Sequence, residues 1–371
     1  MKIRSFQRNP LAGALRAFCF SLLTVTASAL LIVSCSSEEE QPKQIVDQPS
    51  DQVIPDQTEK EQPKQIVDQP SDQVILNQTE KVSEYIKTAV DQIERSKALK
   101  IGNTWLAGVS IIPVFYEQRQ FQPAWTDPLK INDLIQTIEN IEKDGLLPDD
   151  YHRRPLQTLS QQISGQSPPD PQLLAMRDLL LTDALVLLGY HLQIGKVDPV
   201  RLDPNWNMSA GIGAKDPATL IQDAIDSGSI YQFFADLRPR DEYYHYLKAA
   251  LAQYRSIHDQ GGWPPVPQGP TLKKGMEDER IDVLRRRLIA TGDIVSTPDG
   301  PTTLFDEDLE KAVMHFQRRR GLKPDGIVGE NSIKALNVPD EVIIDQIRIN
   351  LERVRWVMGE DLDNFIFVNI P

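Results

Sequence analysis

Residues 312–337 read AVMHFQRRRGLKPDGIVGENSIKALN. Leu309, Ala312, Val313 and Phe316 fall at i, i+3, i+4 and i+7, one face of a helix that starts at the acidic cap Asp306. Gly321 stands where a helix can end in the left-handed conformation, and Pro324-Asp325-Gly326 suits a tight turn whose glycine takes positive φ. A short helix after the turn offers Ile333 and Leu336. Upstream, Met276, Ile281, Leu284 and Leu288 share a face of another helix. The spacing predicts a compact three-helix unit over residues 271–340.

The pattern made by Ala312, Val313, Phe316, Gln317, Gly321, Leu322, Asp325, Gly326, Gly329, Ala335 and Leu336 resembles the small three-helix peptidoglycan-binding domain. That resemblance implies peptidoglycan as a partner. Most of these positions are core or turn positions, so they explain folding, and the peptidoglycan-contacting residues stay unknown. Working outward, FYEQRQFQPAW (115–125), DGLLPDDYH (144–152), LLLTDALVLLGYHLQIGKVDP (179–199) and the stretch 261–288 are similar to the N-terminal part of the large periplasmic L,D-transpeptidases. In that family a helical scaffold domain precedes the peptidoglycan-binding domain. NLERVRWV (350–357) followed by FIFVNIP (365–371) resembles the entry into the YkuD-type β-rich catalytic domain.

Periodicity and resemblance together predict an all-α fold over the residues present. A helical scaffold domain is expected over 82–260, a Pro/Gly linker over 261–270 and the peptidoglycan-binding domain over 271–340. A connecting helix follows over 341–358, with Ile344, Ile347, Leu351 and Val354 on one stripe. Within the scaffold, Leu173, Met176, Leu180, Ala184, Leu187 and Leu188 have helical spacing before the terminator Gly195, and Tyr243, Leu247, Ala250, Leu251 and Tyr254 repeat the pattern. Aromatic residues at such spacing serve a core more often than a sugar-stacking platform. Residues 359–371 read as the start of a truncated catalytic domain, because a single apolar strand has unpaired edges on both sides.

The family resemblance implies cross-linking of peptidoglycan stems through a cysteine acyl-enzyme, which needs a thiolate, a His and oxyanion donors. The family carries these on a His and a later Ser-His-Gly-Cys segment, and neither occurs in these 371 residues. Catalytic residues: none. The expectation is therefore a peptidoglycan-binding protein that is the non-catalytic N-terminal part of an L,D-transpeptidase. The alternative is a free-standing, non-enzymatic scaffold lipoprotein of the cell wall. Cell-wall synthases are further candidate partners, on the family resemblance alone.

The other end of the chain is a targeting segment. Lys2, Arg4, Arg8 and Arg16 precede a 17-residue run without charge, AFCFSLLTVTASALLIV. Ile32-Val33-Ser34-Cys35 resembles the bacterial lipoprotein signal, which implies cleavage after residues 1–34 and lipid attachment at Cys35. Two or more acyl chains anchor stably where one does not. Ser36 after the acylated residue favours the outer membrane, and the expected location is the periplasm. Residues 35–81 read as a disordered tether: EQPKQIVDQPSDQVIPDQTEK (40–60) recurs as EQPKQIVDQPSDQVILNQTEK (61–81). Fully extended, it would reach on the order of 100 Å.

Composition narrows the partners. Formal net charge is −13, and without the basic leader 36 bases face 53 acids. A body this acidic excludes nucleic acid as a partner, since that recognition rests on clustered Lys and Arg. The two cysteines, Cys19 and Cys35, both lie in the processed region, so the mature body has no disulfide and no cysteine metal ligand. The five histidines lack metal-ligand spacing, and no cofactor is implied.

Overall fold

The computed structural model describes residues 72–202, 206, 216–294 and 302–358. The architecture is all-α, with thirteen α-helices and one two-stranded hairpin among the described residues. The leader, Cys35, most of the tether and the apolar run 365–370 lie outside those residues.

Helix α1 (Asp72–Ser96) starts ten residues before the expected end of the tether. The two repeat copies explain the difference. Pro55 and Asp56 of the first copy are Leu76 and Asn77 in the second, and loss of the proline permits an unbroken helix. Val82, Ile86, Val90 and Ile93 then form its buried stripe.

The hairpin β1 (Lys100–Ile101) and β2 (Thr104–Trp105) leads to α2 (Ile112–Gln118) and α3 (Pro128–Glu139). Two 3-10 turns, Ile141–Asp144 and Pro148–Tyr151, precede α4 (Arg153–Ser164) and α5 (Pro171–Gln193). Helix α5 is the centre of the scaffold. It buries Leu179, Leu180, Leu181, Ala184, Leu185 and Leu188, covering more than one face, as a helix enclosed by others must. Helices α6 (Pro199–Leu202), α7 (Pro217–Asp226) and α8 (Ile230–Leu237) follow, and the last two close the same core.

Two buried carboxylates on α5 tie loops to that core. Asp178 accepts the N–H groups of Ala124 (3.0 Å) and Trp125 (2.9 Å) and the hydroxyl of Tyr116 (2.7 Å). Thr182 accepts the Trp125 indole N–H at 3.0 Å and shares a hydrogen bond with Tyr116. Asp183 accepts the Gly108 N–H and bonds His152 Nε2, each at 2.6 Å. A Cβ on Gly108 would stand 3.0 Å from that carboxylate. Burial raises the pKa of Asp178 even though its N–H and O–H donors oppose the shift. The segment 115–125 therefore owes its Tyr and Trp to packing against α5.

Helix α9 (Glu242–Asp259) leaves the scaffold, α10 (Arg280–Ala290), α11 (Glu307–Arg319) and α12 (Glu330–Leu336) form the small unit, and α13 (Asp340–Met358) returns. Helices α9 and α13 are antiparallel: His258 at the end of α9 meets Asp340 at the start of α13, and Tyr244 near the start of α9 meets Arg355 near the end of α13. Tyr244, Leu247, Leu251 and Tyr254 pack with Ile343, Ile347, Leu351 and Val354 in a separate core. Ile343 is the buried member where the stripe predicted Ile344, which is only partly buried. Among the described residues no helix is long and apolar enough to cross a membrane.

Residues 261–270, the expected Pro/Gly linker, pack against the small unit. Val266 is buried in the core of the small unit, and Asn337 grips its backbone, accepting its N–H at 2.8 Å and donating to its carbonyl at 2.9 Å. A Cβ on Gly269 would stand 2.5 Å from the Arg280 guanidinium, so the glycine makes room for that side chain. Met276, expected on the first helix of the unit, lies before α10; its carbonyl accepts the Phe305 N–H at 2.9 Å.

Candidate functional site

The small unit is built on Phe316. Around it stand Ile281, Leu284 and Leu288 of α10, Leu309 and Val313 of α11, and Ile333 and Leu336 of α12, all buried. Asp306 caps α11 by accepting the Leu309 N–H at 2.8 Å and also takes Arg285 at 2.5 Å. Burial pushes the Asp306 carboxyl up, but these donors outweigh it and hold the pKa low. Two isolated bridges, Leu272 with Val328 and Glu277 with Leu304, lace the loops together.

Gln317 is the polar hub. Its amide nitrogen donates to the Ile327 carbonyl (2.9 Å), Asp325 Oδ1 (3.1 Å) and Ser332 Oγ (3.1 Å), while its oxygen accepts the Gly326 N–H (2.9 Å). One buried side chain thus fixes the whole Asp-Gly turn. Gly326 has φ +72°, and a Cβ there would press on Glu310 Cγ at 2.9 Å, so both conformation and space require glycine. Gly321 ends α11 region with φ +68°, as its position predicts.

Between this unit and the scaffold lies a seam of arginines and aromatic rings. The Arg287 guanidinium lies 3.8 Å from the centre of the Trp263 ring and donates to the Leu336 carbonyl at 2.7 Å. Burial, reinforced by the charge of Arg320, lowers its pKa to about 9. Arg319 pairs with the enclosed Asp293 at 2.5 Å and donates to the Tyr254 hydroxyl of α9 at 3.3 Å. Trp263 and Tyr254 meet edge to face, 6.0 Å between centres. The unit is held against α9 by these contacts as well as by its two chain connections.

A second junction forms where α13 reaches the scaffold. Asp144 accepts Arg238 through three contacts of 2.9–3.0 Å, the Tyr244 hydroxyl at 3.0 Å and Lys248 at 2.5 Å. Burial opposes its ionisation, yet the two cations lower its pKa overall. Arg355 donates to the Asp144 carbonyl (3.0 Å), to Tyr244 (3.1 Å) and to Glu352 (3.0 Å). Glu352 in turn accepts the Val197 N–H (2.8 Å) and the Trp356 indole (3.1 Å). Gly195, at φ +100°, lies so close that a Cβ would come within 2.7 Å of both Glu352 and Trp356. The segments 144–152, 179–199 and 350–357, far apart in sequence, meet here.

Each histidine has an assigned place. His152 joins Asp183, His315 joins Asp293 at 2.8 Å, His258 joins Asp340 at 2.7 Å, and His191 bonds the Tyr151 hydroxyl at 3.0 Å; His245 is exposed. Among the described residues no group of three or more His, Cys, Asp or Glu is placed to hold a metal ion. These pairs join elements that lie far apart in the sequence.

Sequence reasoning identified the core positions of the small unit but missed both junctions. Arg287 was one of three consecutive arginines, and nothing local distinguished the one that turns inward to Trp263. Asp144 was visible only as part of a family-like segment.

Two family models match the chain: a scaffold domain over residues 110–251 and a peptidoglycan binding domain over residues 277–336. Their order and their separation by the strap at 261–270 agree with the two cores seen in the structure. No curated protein matches the chain.

Proposed function

We propose that this chain is the wall-binding and scaffolding portion of a periplasmic L,D-transpeptidase, held to the outer membrane by lipid at Cys35. The peptidoglycan-binding domain at 277–336 carries the reading, because it supplies a cell-wall partner directly. The scaffold domain before it supports the family, as do the three family-like segments that converge on Asp144, Glu352 and Arg355. The family's catalytic His and Ser-His-Gly-Cys segment are not among these residues, so the chain alone binds wall polymer and does not cross-link it. In this reading residues 1–34 are removed, the tether sets reach from the membrane, and wall synthases dock on the scaffold.

We place the wall contact of the small unit on the loops that carry Leu304 and Ile327. Both are exposed apolar side chains, and both sit on the loops that bridge to residues 272–277. A Leu304→Asp, Ile327→Asp chain should lose co-sedimentation with insoluble peptidoglycan while its helical signal and melting temperature change little, since exposed substitutions usually shift stability by about 0.5 kcal/mol or less. Unchanged co-sedimentation would remove this face from the reading.

A further inference from the structure

Among the described residues, seven buried side-chain nitrogens lack a hydrogen-bond partner, and all belong to arginines. Arg280, Arg285 and Arg355 account for one each, and each is paired through another nitrogen with a carboxylate, of Asp278, Asp306 and Glu352 respectively. Arg177 on α5 accounts for one more. The other three are Arg287 Nη2, Arg320 Nε and Arg320 Nη2, on side chains that pair with no carboxylate among the described residues.

These two arginines share a place. Their Cζ atoms each lie 5.8 Å from the centre of the Phe316 ring, and that of Arg319 lies 5.6 Å from it. Arg287 is wholly buried, and its remaining nitrogens donate to the Leu336 carbonyl at 2.7 Å and to Thr291 Oγ1 at 3.1 Å. Among charged groups Arg320 acts on it most strongly, and the effect is repulsive. The acid of the seam, Asp293, is already taken by Arg319, His315 and the Thr291 hydroxyl. Three guanidiniums therefore stand against one carboxylate whose donors are in place.

A buried guanidinium without a counter-charge is costly, and a carboxylate is its natural partner. Arg320 offers the matching geometry. Nε and Nη2 lie on one side of a guanidinium, side by side, so they can take both oxygens of one carboxylate. Trp263 and Arg320 are only half-buried, which brings the seam to the surface. We propose that the seam between α9 and the small unit binds a small carboxylate through Arg320 Nε and Nη2 and Arg287 Nη2. Two sources carry that group, a free small acid and the stem peptides of peptidoglycan. The site itself does not depend on the wall contact at Leu304 and Ile327.

An NMR titration of the isotope-labelled full chain with sodium acetate, at an ionic strength held constant with sodium chloride, tests it. The Nε–Hε signals of Arg287 and Arg320 should shift saturably. Arg320→Gln should weaken the acetate response at Arg287 roughly tenfold or more. That variant keeps the fold, because the Nε and Nη2 it removes hold nothing in the structure, and its melting temperature checks this. Arg318→Gln removes an exposed cation beside it and should leave the response intact. Unmoved arginine signals, a response that Arg320→Gln leaves unchanged, or an equal weakening in both variants would overturn the proposal. Displacement of acetate by a soluble peptidoglycan fragment would assign the carboxylate to wall stems, and acetate left in place would assign it to a free acid. Co-sedimentation with insoluble peptidoglycan is a separate measurement, so failure here leaves the wall-binding reading standing.

Discussion

Gln317 shows how one side chain can decide a turn. Its buried amide serves Asp325, Gly326, Ile327 and Ser332 at once, so an apolar replacement of similar size leaves the Gly326 N–H without its acceptor and the Ile327 carbonyl with only the Ser332 hydroxyl at 3.3 Å. A Gln317→Leu chain should lose roughly 1–3 kcal/mol locally, the cost of unsatisfied buried polar groups. Amide exchange in α11 should then quicken by roughly 5- to 150-fold, with α5 unchanged. Unaltered exchange in α11 would show that the hub carries no load. The sequence made Gln317 visible as one member of a pattern but not as its centre, because its four partners are assembled only by the turn. Phe316 was legible directly, since helical spacing alone places it with Leu309 and Val313. Arg287 and Asp144 were not legible: Trp263 lies 24 residues from the first, and Arg355 lies 211 residues from the second.

At the level of elements, the pairing of α9 with α13 has a titratable clasp. His258 Nδ1 meets Asp340 at 2.7 Å at the exposed end of the pair, and Glu341 lies 3.9 Å away. The hydrogen bond to Asp340 raises the His258 pKa, and the same carboxylate's charge adds to the effect. A raised folded pKa means that the clasp stabilises fully below about pH 6.5, the unfolded value, and is lost as pH rises through the folded value. The melting temperature of the parent chain should therefore exceed that of His258→Gln at pH 5.5, and the gap should close by pH 8.5. A gap that is constant, or widens with pH, would contradict the assignment. Helices themselves were well anticipated from periodicity, including α5, α9, α11 and α13. The start of α1 was not, because the repeat was read as one kind of segment. Its second copy has Leu76 and Asn77 where the first has Pro55 and Asp56, and without the proline the segment can continue as helix.

On the scale of the molecule, the peptidoglycan-binding unit is inserted between two antiparallel helices and is gripped at several points. The strap contributes Val266 to its core and Trp263 to its seam, Arg319 reaches Tyr254, and α13 carries the chain back to Asp144. The prolines and glycines of 261–270 predicted a proline-stiffened linker; its packing partners were not legible, because composition does not report what a segment packs against. This arrangement makes the small unit, which matches the peptidoglycan binding domain, a fixed limb of the scaffold. The most direct test is an amide NMR titration of the isotope-labelled chain with a soluble peptidoglycan fragment. The account predicts saturable shifts confined to residues 277–336, strongest around Leu304 and Ile327, with the cores of α5 and α1 silent. Shifts confined to the scaffold, or none at saturating fragment, would contradict it.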